Sequence, residues 1–129
     1  MSEFKNRVSA ILAVTGDDSI AVRVIDSVTA SLRRYRDTVI NYKRLPVLKE
    51  RCFDASEVRE LTIRLDQQKH TAHERLMSDI TIANRYLFRT YGRDIPAGGV
   101  YTDDPLHLRG AKERHAIETW AMKTVATLQ

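Results

Sequence analysis

Four side chains in one short stretch, Asp66, His70, His73 and Glu74, are of the types that bind divalent metals. On a helix, Asp66, His70 and Glu74 follow one another at one-turn intervals, and His73 lies three residues from His70. Such spacing lets one helix offer an ion two or three ligands. Helical di-iron sites need more than this: a Glu-x-x-His pair from each of two helices, with further carboxylates. No Glu-x-x-His occurs in the chain. The alternative is a solvated polar face beside an apolar seam, and on that reading no cofactor is required.

A second group gathers near the C-terminus: Arg109, Lys112, Glu113, Arg114, His115 and Glu118. Five residues separate Arg109 from His115. This spacing resembles the Arg-x(4–6)-His signature of the HEPN nucleic-acid-binding and ribonuclease superfamily. The resemblance implies a small helical bundle that dimerises, with Arg109 and His115 together at the dimer interface, acting on an RNA phosphodiester. It covers this one motif. Gly110 stands where the superfamily carries a polar residue, and Arg64 and His70 repeat the same spacing.

Basic residues concentrate between positions 33 and 51, where Arg33, Arg34, Arg36, Lys43, Arg44, Lys49 and Arg51 face only Asp37 and Glu50. Tyr35 and Tyr42 lie among them, a combination that can hold phosphates and stack bases. The tyrosines also fall on an apolar seam, which makes them core residues and leaves the cations as a solvated face. Arg85, Arg89 and Arg93 form a similar stripe, and cations near a helix C-terminus complement its dipole. The single thiol, Cys52, has Arg51 on one side and Phe53 on the other. No histidine is near it in sequence, so it is expected to be a buried structural thiol. The chain carries no Walker loop, dinucleotide-binding glycine turn, Gly-x-Ser-x-Gly elbow or HExxH motif.

The bulk properties fit this picture. The chain has 129 residues, of which 43% are hydrophobic and 29% charged, with a net charge of +4. That is ordinary for one globular domain, and the mild excess of cations permits a nucleic-acid partner without requiring one. One cysteine allows no internal disulfide. The opening residues do not form a signal-peptide core, and no run reaches the roughly 18 apolar residues of a membrane span. A cytoplasmic location without membrane association is the expectation. Only 5 glycines and 3 prolines punctuate the chain, which favours long helices.

Four helices are predicted to position these residues. The first covers Glu3 to Thr15, with Phe4, Val8, Ile11 and Leu12 on one face and Gly16 as its stop. Asp17, Asp18 and Ser19 offer caps for the next. The second has a seam of Ala21, Ile25, Val28, Leu32, Tyr35, Val39 and Tyr42, in alternating steps of four and three. That is a heptad, and Pro46 closes the helix. Residues 45–55 form a connector whose Leu48 and Phe53 cover one end of the core. The third helix starts near Asp54 or Ser56, with Asp54 and Glu57 spaced as in a capping box, and runs to Gly92. Its seam includes Leu65, Gln68, Ala72, Leu76, Ile80, Ala83 and Leu87, at a mean step of about 3.7. This differs from the heptad of the second helix, so the two are expected to splay at one end, with Gln68 fixing their register. Asn84, a poor residue for mid-helix, is expected to bond something specific. Residues 92–104 make a loop longer than bundles usually need, hence functional or mobile. Asp104 and Pro105 open the fourth helix.

The expected architecture is an all-α, antiparallel four-helix bundle with two long and two shorter helices, forming one domain. Its expected function is that of a non-enzymatic interaction module whose partner is a second copy or another helical protein. An RNA-binding or RNA-cleaving bundle using Arg109 and His115 is the alternative.

Overall fold

A computed structural model describes residues 3–51, 54–101 and 111–128, and side chains in the last segment from His115 onward. It is an all-α bundle. Two long helices, α2 (Ser19–Lys43) and α4 (Ala55–Tyr91), are flanked by two shorter ones, α1 (Glu3–Thr15) and α5 (Ala111–Leu128). A single turn, α3 (Leu45–Lys49), follows α2, and a 3₁₀ turn at Gly92–Asp94 follows α4.

Local chemistry sets the ends of these helices. Gly16 takes φ +59°, and its N–H donates to the Leu12 carbonyl at 3.0 Å, which closes α1. Asp18 caps α2, its Oδ1 accepting from the N–H groups of Ile20 and Ala21. Asp54 caps α4 by accepting from Glu57 N at 2.8 Å. Pro46 does not leave an irregular connector behind it. It sits in the first turn of α3, where its missing N–H costs nothing, and Leu45 is the side chain buried there. Leu48 is half-buried, and Cys52 and Phe53 lie outside the described residues, as does the Asp104–Pro105 start expected for the last helix.

α2 is the hub. Its predicted seam is buried from Ala21 through Val39. Rising positions on α2 meet falling positions on α4: Asp18 with Tyr91, Ser31 with Asp79, Tyr35 with His73, Tyr42 with Lys69. The two are antiparallel and stay in register along all of α2, so the expected splay does not occur. Gln68 is exposed and outside the seam. Lys69 takes its place, its ammonium 4.6 Å from the Tyr42 ring centroid. With Leu65, Lys69, Ala72, Leu76, Ile80, Ala83 and Leu87 facing α2, the mean step stays at about 3.7, and the packing absorbs the difference from the α2 heptad.

α5 is also antiparallel to α2. Glu118 pairs with Lys43 at the end of α2, and Leu128 lines a cleft with Val22 and Ile25 near its start. α1, α4 and α5 therefore all run against α2. A chain leaving α4 at one end must be carried back before α5 can begin. The described part of the link is not loose. Ile95, Val100 and Tyr101 are buried, and Tyr101 meets Trp120 edge-on at 4.4 Å. Asn84 bonds this segment from α4: its Nδ2 donates to Gly98 O at 3.2 Å and its Oδ1 accepts from Val100 N at 3.0 Å. Arg7 holds it from α1, donating through Nε to Gly99 O at 2.9 Å and through its terminal nitrogen to Ala97 O. Gly99 is required here. Its φ is +64°, and a Cβ would fall 2.1 Å from Asn84 Oδ1.

Candidate functional site

The metal-type residues on α4 do not converge. His73 is buried and turned toward α2, its ring tilted against Tyr35 at 5.6 Å between centroids. Asp66, His70 and Glu74 stay on the exposed side, where His70 Nε2 lies 3.8 Å from Glu74 Oε1. Helix geometry explains the division: His73 is one residue's rotation from Ala72, at the edge of the seam, while His70 and Glu74 lie farther round the same flank, toward solvent. Among the described residues, no three histidine, cysteine, aspartate or glutamate side chains come together as a metal would need.

Of the Arg109–His115 pair, Arg109 lies outside the described residues, and His115 is exposed in the first part of α5. Glu118, one turn on, bridges α5 to the neighbouring helices, 2.8 Å from Lys43 Nζ and 4.0 Å from Lys69 Nζ. Lys43 is thus occupied in packing. Arg33 and Arg44 are exposed, and Arg36 is half-buried with Asp37 at 3.9 Å. Tyr35 is fully buried and Tyr42 lies under Lys69, so neither offers a face to a base.

Arg34 has a different setting. It lines an open groove of about 500 Å³ between α2 and α4 with Thr38, Arg64, Gln67, Gln68, Thr71, Ala72 and Arg75. The α4 members recur in steps of three and one, a single helical stripe beside the apolar seam. The groove is open because its floor is small: Ala72 is buried there, and Thr38 and Thr71 are short. Arg34 falls within the basic stretch at 33–51, but its partners on α4 are far from it in sequence, so the stripe does not show as one surface. The signal for the α4 part was there, in polar residues at helical spacing where the seam carries alanine.

Two polar clusters missed in the sequence are structural. Asp79 is buried, accepts from the Ser31 hydroxyl of α2, and receives Arg75 Nε at 3.2 Å. Asp18, beyond capping α2, accepts from Tyr86 at 2.6 Å and Tyr91 at 2.5 Å. These two phenols hold its carboxyl down at about 2, with the capping N–H groups adding to the effect, and Asp18 in turn pushes Tyr91 up to about 12 and Tyr86 upward.

The N-terminal part of α4 presents a separate surface. Tyr42 meets Lys69, so residues 55–64 extend about 15 Å past the end of α2. Val58 and Leu61 continue the seam spacing but are only half-buried, and Ile63 is 51% exposed. Val47 of α3 is 57% exposed.

No helix among the described residues is long and apolar enough to cross a membrane. No curated protein matches the chain. A family model matches residues 2–128, and the chain belongs to the family it describes, a protein of unknown function (DUF3232).

Proposed function

We propose that this chain is a non-enzymatic helical interaction module that associates with a second copy of itself through the projecting start of α4. The carrying observation is the half-buried seam at Val58 and Leu61, which α2 is too short to cover. A second copy suits this surface because its charges are self-complementary. With a two-fold axis between residues 59 and 60, Val58 faces Leu61 of the other copy and Arg59 faces Glu60. A strongly charged partner finds no matching field there, since Glu57 and Glu60 flank Arg59.

Sedimentation equilibrium tests this. The parent chain is expected to dimerise at roughly tens of micromolar, and Leu61→Glu, which places a charge on the seam itself, to remain a monomer with unchanged helicity. A parent that stays monomeric at hundreds of micromolar overturns the proposal. The alternative of a ribonuclease centred on Arg109 and His115 makes a different prediction: RNA cleavage that His115→Ala abolishes.

A further inference from the structure

The groove between α2 and α4 has the chemistry of an anion site. Three arginines from two helices line it, and no carboxylate does. Among the described residues, Arg34 and Arg64 form no ion pair. Arg75 is paired, but through Nε, to Asp79. That bond engages Nε and not the two terminal nitrogens, and it anchors the guanidinium to a carboxylate that is itself buried and held by Ser31. An anion entering the groove therefore meets cations and no competing carboxylate on its lining. Arginine is the side chain suited to that role: its planar fork matches two oxygens of a phosphate at once.

Size and lining narrow the ligand. A groove of about 500 Å³ lies within the range of small-molecule sites. Gln67, Gln68, Thr38 and Thr71 add amide and hydroxyl groups able to bond sugar-type hydroxyls. No aromatic side chain lines the groove, so nothing in it rewards stacking of a base. The recognisable parts of a ligand are its phosphate and its hydroxyls.

We propose that this groove binds an organic phosphate ester with a hydroxyl-bearing body, its phosphate held by Arg34 and Arg75, which the register of α2 and α4 sets level with each other, and its hydroxyls by the glutamines and threonines between them and Arg64. Asp79 is a positioning residue that orients Arg75. The phosphate belongs either to a free sugar phosphate or to the backbone of a single-stranded nucleic acid, and the two sources are separable by experiment.

Calorimetric titration with ribose 5-phosphate, inorganic phosphate and a short single-stranded RNA makes the test. Ribose 5-phosphate is expected to bind saturably and more tightly than inorganic phosphate. Arg34→Gln and Arg75→Gln should each weaken it about tenfold or more and Arg64→Gln less, while Arg89→Gln, at the far end of α4, leaves it unchanged. All four side chains are exposed, so the variants should fold like the parent. Asp79→Asn should weaken binding in the parent but not in the Arg75→Gln background, a dependence that a purely structural role does not produce. Equal affinity per phosphate for sugar phosphate and RNA indicates a free ester as the source. A large gain for RNA, steeply lost with salt, indicates a polymer. The proposal is overturned if no phosphate compound binds at millimolar concentration, or if Arg89→Gln weakens binding as much as the groove variants do.

Discussion

The two ends of α4 share one helix and have opposite surroundings. From Leu76 to Tyr91, Leu76, Ile80, Ala83 and Leu87 are buried, and polar side chains tie the helix to three other parts of the fold. Asp79 meets Ser31 of α2, Asn84 holds the segment at 98–100, and Tyr86 and Tyr91 reach Asp18 at the start of α2. From Ala55 to Arg75, the buried residues are Leu65, Ala72 and His73, and no side chain before Lys69 has a described ion pair or hydrogen bond outside its own helix. Burial and bonding hold one half in place. The other half is kept straight by its helical continuity and leaves its flanks open, and both proposed surfaces lie there.

The sharpest way to break this comparison is to cut the same type of group from each half. Leu76→Ala removes a fully buried side chain and should cost about 3 kcal/mol in urea unfolding. Ile63→Ala removes one that is half exposed and should change the monomer's stability by no more than about 0.5 kcal/mol. Similar losses at both positions would mean that the projecting turns are part of the core.

A smaller effect probes the polar ties. Gly99→Ala sets a methyl group against the Asn84 amide and strains a left-handed backbone, which should cost about 1–3 kcal/mol. Asn84→Ala removes the obstruction along with the two hydrogen bonds, so the double variant should lose less than the sum of the single ones. Additive losses in thermal or urea unfolding would show that Asn84 and Gly99 do not act on each other.

The smallest expected effect is read from pH. Asp18 is held at about 2, below the ordinary carboxylate value of 3.8, so its ionised form is favoured in the folded chain. Its contribution to stability is complete above the unfolded value and disappears as pH falls toward 2. The stability gap between the parent and Asp18→Asn should therefore narrow on acidification from pH 5. Tyr91 acts in the opposite sense. Pushed up to about 12, it favours the folded state below its unfolded value near 10, and that contribution fades as pH rises through 12. A parent–variant gap that stays constant with pH would contradict the cluster.

Much of the scaffold was legible because it obeys simple periodicity. The α2 seam, the Gly16 stop, the Asp18 and Asp54 caps and the two-long, two-short pattern follow from spacing and capping chemistry. Asn84 was visible as a misfit and proved to be a clamp. The register of α4 was misread because a lysine can lie along a seam with its charge over a ring, which a hydrophobic pattern scores as polar. The docking of 95–101 is not legible within the long loop expected at 92–104, because Ile95, Val100 and Tyr101 have no period to reveal their burial. The candidate metal set looked sound by spacing alone, since rotation of His73 into the core depends on where α2 lies. The arginine groove needs both helices in place before Arg34 and the α4 stripe can be seen as one surface.

Amide hydrogen exchange along α4, followed at increasing protein concentration, tests the account most directly. The predicted result is that amides from Leu76 to Leu87 exchange only by global unfolding at every concentration. Those from Val58 to Leu65 should exchange by local opening when dilute and slow down as the chain is concentrated. Equal protection of both halves in dilute solution, with no change on concentration, would contradict it.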